Sequence, residues 1–450
     1  MAETAVRNRI TGVTALAVLA DLGGASIAGG AIARRRAVVG LLERIQADRR
    51  AVSRMRQLRR TYGSGPVELV LPGRRIIVPL DPSDVGRVLD GTPTPFDPAS
   101  WEKRRALEQF QPHAVLITRG PLRGPRRTLN EGALDTQADL HRLAAPFADI
   151  VSEEIAALTA DALNRGTLDS AQFTKAWWRL VRRVVLGNAA RDDDAVTDDL
   201  WRLRRAGNWS FAAPVHARRR ARFLQRLHDY AEHAEADSLL GALTSINAAA
   251  DLDPIGQVPH WLFAFDAAGM AAVRAAALLA THPETQSHWE TTDPDTPQTR
   301  PYLRASVLES VRLWPTTPAL LRETVEDTGW GDADQRFTLG SGATVFICVP
   351  AFHRDPDTLP FADQFVPEIW LDGSAQSYPQ LVPFSAGPAE CPGRNLVLFV
   401  TSSMLAKLFD LVQVSLQSEP PLSAGTPLPL TLNQFGLTFA IAPKTVGTRA

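Results

Sequence analysis

Cysteine is scarce in this chain of 450 residues, which has only Cys348 and Cys391. Two cysteines cannot form the disulfide framework of a small secreted domain, and the chain is far longer than such domains. We therefore expect a reducing compartment, the cytoplasm. Cys348 lies in the apolar run ATVFICVPA, which predicts a buried strand residue.

The chain also lacks an excess of charge of either sign, since its formal net charge is −1. This balance gives no argument for nucleic acid or for a membrane surface as a partner. Residues 11–33 are the one candidate for a membrane or export segment, but Asp21 and the glycines at 23, 24, 29 and 30 weaken it. We expect no membrane role, and we interpret residues 1–36 as a peripheral amino-terminal segment that packs on the domain.

Periodicity and turn residues predict several local structures. Residues 37–62 have the spacing of one amphipathic helix, residues 66–80 that of a β-hairpin, and Asp81 begins a further helix. Residues 91–119 contain four prolines and are predicted to form a loop. Residues 137–187 are predicted to form two helices.

The most informative stretch is PFSAGPAECPGRNLVLFVTSSM, residues 383–404, which presents Cys391 in a loop before an apolar helix. Backbone N–H groups at a helix start favour a negative charge, and a metal ligand must be a thiolate. Glycines at 387 and 393 let the backbone approach a flat ligand. The alternative is a buried structural cysteine, since free cysteine is often buried.

This stretch resembles the haem-binding loop of the cytochrome P450 family, of bacterial type, with Phe384, Gly387, Cys391 and Gly393 at the family spacing. The resemblance implies a mainly α fold with small β-sheets, as a single domain over residues 37–450. It also implies haem b as the cofactor and Cys391 as the axial ligand of its iron. The chain departs from the family at Ala389, where a propionate-binding His or Arg is usual.

The resemblance implies three arginines as propionate ligands: Arg123 and Arg127, four residues apart on one predicted helix, and Arg322 on a strand. Exposed arginines are the alternative for the first two. Glu309 and Arg312 resemble the Glu-x-x-Arg pair that supports the haem side of the core.

The family network around that pair usually has a third member, an arginine that follows Phe-x-Pro-Glu. Here Phe365, Pro367 and Glu368 are present, but Ile369 stands in the place of the arginine. This substitution puts the ordinary geometry of the loop in doubt.

Residues 258–281 resemble the family helix that crosses the oxygen side of the haem. Counting back from the end of this helix places Asp266 at the position of the family's proton-delivering acid and Ala267 at the position of its alcohol. Matching the dipeptide Ala-Gly instead places Ala271 and Ala272 at these two positions. We prefer Asp266, with a structural Asp–Arg pair as the alternative. Because both placements lack the hydroxyl, ordered water or a substrate group must complete the relay.

The expected activity is a monooxygenase reaction that inserts one oxygen atom from O2 into an apolar small molecule. Electrons would come from a ferredoxin and its reductase, because no Gly-rich dinucleotide segment occurs. Residues 91–119 and 200–245 would line the substrate pocket. A peroxide-driven peroxygenase and a non-catalytic helper protein are the alternatives.

Overall fold

The computed structural model describes residues 8–212, 214–289, 293–330 and 337–444. The helices are α1 Gly12–Gly29, α2 Arg36–Arg44, α3 Asp48–Tyr62, α4 Pro82–Asp90, α5 Trp101–Leu107, α6 Arg123–Ala133, α7 Ala144–Arg165, α8 Ser170–Leu186, α9 Asp194–Gly207, α10 Ala217–Glu232, α11 Leu239–Thr244, α12 Val258–Thr281, α13 Pro301–Leu313, α14 Val349–His353, α15 Glu368–Leu371 and α16 Arg394–Leu411. The strands are β1 Arg9–Thr11, β2 Val67–Leu71, β3 Arg74–Val78, β4 Phe96–Asp97, β5 Thr167–Asp169, β6 Ala319–Thr324, β7 Thr328–Trp330, β8 Phe337–Leu339, β9 Thr344–Cys348, β10 Val412–Leu416 and β11 Thr438–Pro443. The predicted mainly α fold with small sheets is confirmed.

The core is built around α12 and α16, two helices whose apolar residues continue around most of their circumference. A helix that is apolar on all sides has to be buried on all sides. Accordingly, α16 packs against α7, α12 and α13, while α12 also contacts α8. These contacts fix the start of α16 at the edge of the core, and the half-buried Cys391 loop lies directly before it.

Within the described ranges, three sheets lie beside this helical core. The largest has the strand order β1-β2-β3-β9-β6-β4, and the others are β10-β11-β5 and β7-β8. The predicted hairpin is present, with β2 antiparallel to β3 and Val67 opposite Val78. In β9 every residue is buried, and this includes Cys348, as predicted.

The amino-terminal segment is integrated with the largest sheet. Strand β1 pairs in parallel with β2, and α1 packs on α3 and on β2. By length and composition alone, α1 and the segment 250–281 could each cross a membrane. In this structure, 28% of the most apolar 18-residue stretch of α1 is buried, and the corresponding value for the segment 250–281 is 78%. Core helices and signal sequences meet the same criterion, so the finding does not define a span.

Two local predictions were wrong. Residues 37–62 do not form one helix, because the chain bends between α2 and α3 at Gln46, whose φ is 47°. The segment 91–119 is not loop throughout, because Ser100 caps α5, its Oγ accepting a hydrogen bond from the Lys103 N–H at 3.5 Å. The prolines of this segment flank α5 and do not interrupt it.

Candidate active site

A cavity of about 880 Å³ lies between the Cys391 loop and α12. Its wall is mostly apolar. Phe384 and Cys391 line one part of it, and Ala264, Ala267 and Ala271 of α12 line another. A large apolar cavity with a few convergent polar groups is the usual form of a small-molecule site.

The Cys391 loop is held by its own backbone. The N–H of Cys391 donates to the Phe384 carbonyl at 2.9 Å, and α16 begins three residues later. Gly387 has a φ of 65°, and a Cβ there would collide with the Leu89 carbonyl at the end of α4. Gly387 therefore serves the packing of the loop against α4, a reason that differs from the one inferred from the sequence. At Gly393 a Cβ would meet only a side chain at 3.9 Å.

The electrostatic surroundings of Cys391 act in both directions. Burial raises the pKa of its thiol, and the charge of Glu390 adds to this effect. The N–H of Gly393 and the guanidinium groups of Arg127 and Arg394 lower the pKa of the same thiol. These donors and cations would stabilise a thiolate, the form that a metal ion requires.

Three cations are gathered near one another in or behind the cavity wall: Lys103, Arg123 and Arg322. Lys103 donates to the Leu321 carbonyl at 2.9 Å, and Arg322 donates to the same carbonyl at 3.1 Å. Arg123 donates to the Val115 carbonyl at 3.1 Å. Within the described parts of the chain, none of the three forms an ion pair, so their positive charge has no bound counter-ion.

The pKa values reflect this crowding. Burial, followed by the charges of Arg322 and Arg123, lowers the pKa of Lys103 well below 10.5. Burial and the charge of Arg123 lower the pKa of Arg322 to about 10. Asp97 acts in the opposite direction, but its carboxylate already lies 3.2 Å from Arg119. A partly buried cluster of positive charge fits a ligand that carries carboxylates, as a haem with its two propionates does.

Arg127 has a different environment from Arg123, although both line the cavity. Its Nε lies 2.5 Å from Glu131 Oε1, and its Nη1 donates to the Glu390 carbonyl at 2.8 Å. Arg127 therefore ties α6 to the Cys391 loop. Sequence reasoning treated the two arginines alike and missed Lys103, although Lys103 is one of few lysines in an arginine-rich chain.

On α12, both Asp266 and Ala267 line the cavity. Asp266 Oδ2 accepts a hydrogen bond from Arg204 Nη2 at 2.6 Å, so the Asp–Arg pair considered as the alternative is present. Among the described residues, Oδ1 of Asp266 accepts no hydrogen bond. In the other register, Ala271 lines the cavity and Ala272 is fully buried in the core.

The amino-terminal segment contributes to the cavity wall through Ile32. Arg204, which holds Asp266, also donates to the Ile32 carbonyl from Nη2 at 2.8 Å. Asn208 accepts from the Ile32 N–H at 2.9 Å and donates to the Ala33 carbonyl at 2.7 Å. These contacts join segments about 175 residues apart, and no local pattern in the sequence indicates them.

Glu309 and Arg312 form the expected pair, fully buried, at 2.6 Å. The missing arginine of the loop is replaced by two other donors. The Val366 N–H donates to Glu309 Oε1 at 2.9 Å, and the Trp370 indole N–H donates to Oε2 at 3.0 Å. Ile369 itself is buried in a small apolar cluster. Residues near position 369 therefore supply hydrogen bonds to Glu309 that Ile369 cannot.

Comparisons with known proteins agree with this geometry. Residues 278–436 match the family model described as cytochrome P450. The chain is 28% identical over 210 residues to "Probable cytochrome P450 4s3" of Drosophila melanogaster, covering 42% of this chain and 41% of that one. It is 34% identical over 202 residues to "Putative cytochrome P450 cyp-13B1" of Caenorhabditis elegans, covering 41% and 38%. It is 39% identical over 114 residues to "6,7,8-trihydroxycoumarin synthase" of Pastinaca sativa, covering 24% and 23%.

Two solved structures share the fold across most of the chain. "Retinoic acid bound cyanobacterial CYP120A1" superposes with a TM-score of 0.69 at 19% identity, covering 86% of this chain and 94% of that one. "Crystal structure of a Cytochrome P450 (CYP102L1)" superposes with a TM-score of 0.70 at 17% identity, covering 88% and 94%. The fold is that of a cytochrome P450.

The chain has the cytochrome P450 fold, and its residues 278–436 are similar to the family of that name. It spans about two fifths of the length of the first two curated relatives. These sequence relatives come from animals and a plant, so they give no support to the expected bacterial type.

Proposed function

We propose that this chain is a haem-thiolate monooxygenase that inserts one oxygen atom from O2 into an apolar small molecule. The observation that carries the proposal is the composition of one cavity. Cys391, the apolar helix α12 and two cations, Lys103 and Arg123, all border it, and neither cation forms an ion pair within the described parts of the chain. These are the groups needed for an iron ligand, a substrate surface and propionate contacts.

Each of these residues has a distinct role in the proposal. Cys391 would hold the iron, and Arg123 and Arg322, together with Lys103, would bind the propionates. When bound, the haem supplies the activation of O2. Arg127 supports the arrangement by holding the Cys391 loop through the Glu390 carbonyl.

Proton delivery is assigned to Asp266. Its Oδ2 accepts a hydrogen bond from Arg204 Nη2 at 2.6 Å, while Oδ1 accepts none among the described residues and would be the atom that passes a proton. Ala267 cannot pass a proton, because its side chain has no hydroxyl. An ordered water or a polar group of the substrate would have to occupy that point of the relay.

The electron donor in this proposal is a ferredoxin-type partner, supplied by its own reductase. Its support is the absence of a Gly-rich dinucleotide segment in these 450 residues. We also propose a cytoplasmic location, with α1 packed on the domain. That packing is supported by the contacts of α1 with α3 and β2 and by its residues Leu19 and Gly23 in the cavity wall.

A carbon-monoxide difference spectrum of the reduced, haem-loaded protein tests the proposal. We expect the shifted thiolate band in the natural chain and its loss in Cys391→Ala. Cys348→Ala is the matched control, because its sulfur is buried and donates to the Leu22 carbonyl at 3.2 Å. A natural chain without the band would favour a non-catalytic helper, and full-rate turnover with peroxide alone would favour a peroxygenase.

A further inference from the structure

A histidine of α12 lines the same cavity and has no role in the chemistry proposed above. His260 precedes Ala267 by seven residues, which is two helical turns or about 10 Å along the axis. Residues seven apart lie within about 20° of each other around a helix. His260 is therefore on the face that borders the cavity, but well away from the middle of the helix.

The hydrogen bonding of His260 determines which ring nitrogen carries its proton. Nδ1 lies 3.1 Å from Oε1 of Gln111, whose side chain is fully buried. A carboxamide oxygen can only accept, so Nδ1 donates and Nε2 of the neutral ring is left as an acceptor. Burial lowers the pKa of His260 to about 4, so the ring is neutral at pH 7.

Aromatic rings lie beside His260. The His260 ring lies 5.9 Å from the Phe263 ring, and Phe263 packs on Phe110 at 5.5 Å. Among the described residues, Nε2 has no hydrogen-bond partner. An acceptor beside aromatic rings discriminates strongly, because a buried polar group that stays unpaired is costly on both sides of the contact.

We propose that Nε2 of His260 accepts a hydrogen bond from a hydroxyl group of an otherwise apolar substrate. This inference rests on the proposed function and narrows its substrate class to alcohols and phenols. The hydroxyl would be held about 10 Å from Ala267, so it is distinct from the polar group that would complete the proton relay. It would instead fix which carbon of the substrate reaches the middle of the helix.

Calorimetric titration with three rigid compounds of one skeleton tests the proposal: 4-hydroxybiphenyl, 4-methoxybiphenyl and biphenyl. The natural chain should bind the phenol most tightly, because the ether lacks a donor. His260→Phe should weaken binding of the phenol about 5- to 100-fold and change binding of the ether less than about twofold. His260→Gln, which keeps an acceptor, should retain part of the preference.

Ser210→Ala is the matched control, because Ser210 is another buried cavity residue and its hydroxyl has no partner among the described residues. It should leave the preference for the phenol intact. Four results would each overturn the proposal. The natural chain binds phenol and ether equally, or it binds none of the compounds. Alternatively, His260→Phe keeps the preference for the phenol, or Ser210→Ala loses as much phenol binding as His260→Phe does. A missing carbon-monoxide band with the preference intact would instead remove the monooxygenase function and leave the hydroxyl site.

Discussion

Replacing Lys103 by methionine should shift two free energies in opposite directions. Lys103 is one of three clustered cations without an ion-pair partner among the described residues, and burial and its neighbours lower its pKa well below 10.5. In the haem-free protein this buried charge is unfavourable, so its removal should raise the free energy of unfolding by about 1–3 kcal/mol. The Leu321 carbonyl is not left unpaired, because Arg322 also donates to it at 3.1 Å.

In the haem-loaded protein, the same substitution should lower the affinity for haem. A hydrogen bond from a charged group contributes about 1.5–3 kcal/mol, which corresponds to about 10- to 150-fold in affinity. We therefore expect haem to transfer from Lys103→Met to apomyoglobin faster by about that factor. The assays are the transfer rate for the loaded protein and urea unfolding for the haem-free protein.

Lys407→Met is the control, because Lys407 already pairs with Asp295 at 2.7 Å. Its removal should leave haem transfer unchanged and should not stabilise either form. If Lys103→Met destabilises the haem-free protein and leaves haem transfer unaltered, Lys103 has only a structural role. Only Arg123 and Arg322 of the cation cluster would then remain assigned to the propionates.

Three further substitutions test other parts of the structure. Burial lowers the pKa of His353 to about 3, below its ordinary 6.5. As the pH falls, the unfolded chain therefore takes up this proton before the folded chain does, and the free energy of unfolding decreases below pH 6.5. His353→Gln should reduce this loss by about 1 kcal/mol per pH unit between pH 6 and 5, measured by urea unfolding at each pH; an unchanged slope would contradict the assignment. Trp370→Phe removes a donor to buried Glu309 and should lower the free energy of unfolding by about 1.5–3 kcal/mol, whereas a loss below about 0.5 kcal/mol would mean that the indole acts through packing alone. Asp266→Asn should lower product formation about 10²-fold and raise the peroxide released per NAD(P)H without altering haem transfer; tight coupling in this variant would argue against proton delivery by Asp266.

The features that the sequence predicted well are those encoded by neighbouring residues. The bounds of α12 follow from its long, mainly apolar run, and the Cys391 loop follows from four positions within ten residues. The bend at Gln46 was missed because the amphipathic spacing continues across it. Lys103 was missed because its significance depends on Arg322, more than two hundred positions away.

The two departures from the family pattern near the haem side illustrate the same point. Chemistry requires a donor or a cation at a position in space, and the chain can supply it from any segment that folds to that position. At Ile369 the replacement is observed, since the indole of Trp370 reaches Glu309 at 3.0 Å. At Ala389 we infer it, since Lys103 adds a third cation to the cluster around Arg123 and Arg322. A missing motif residue is therefore weak evidence for a missing function until the surrounding fold has been searched for its substitute.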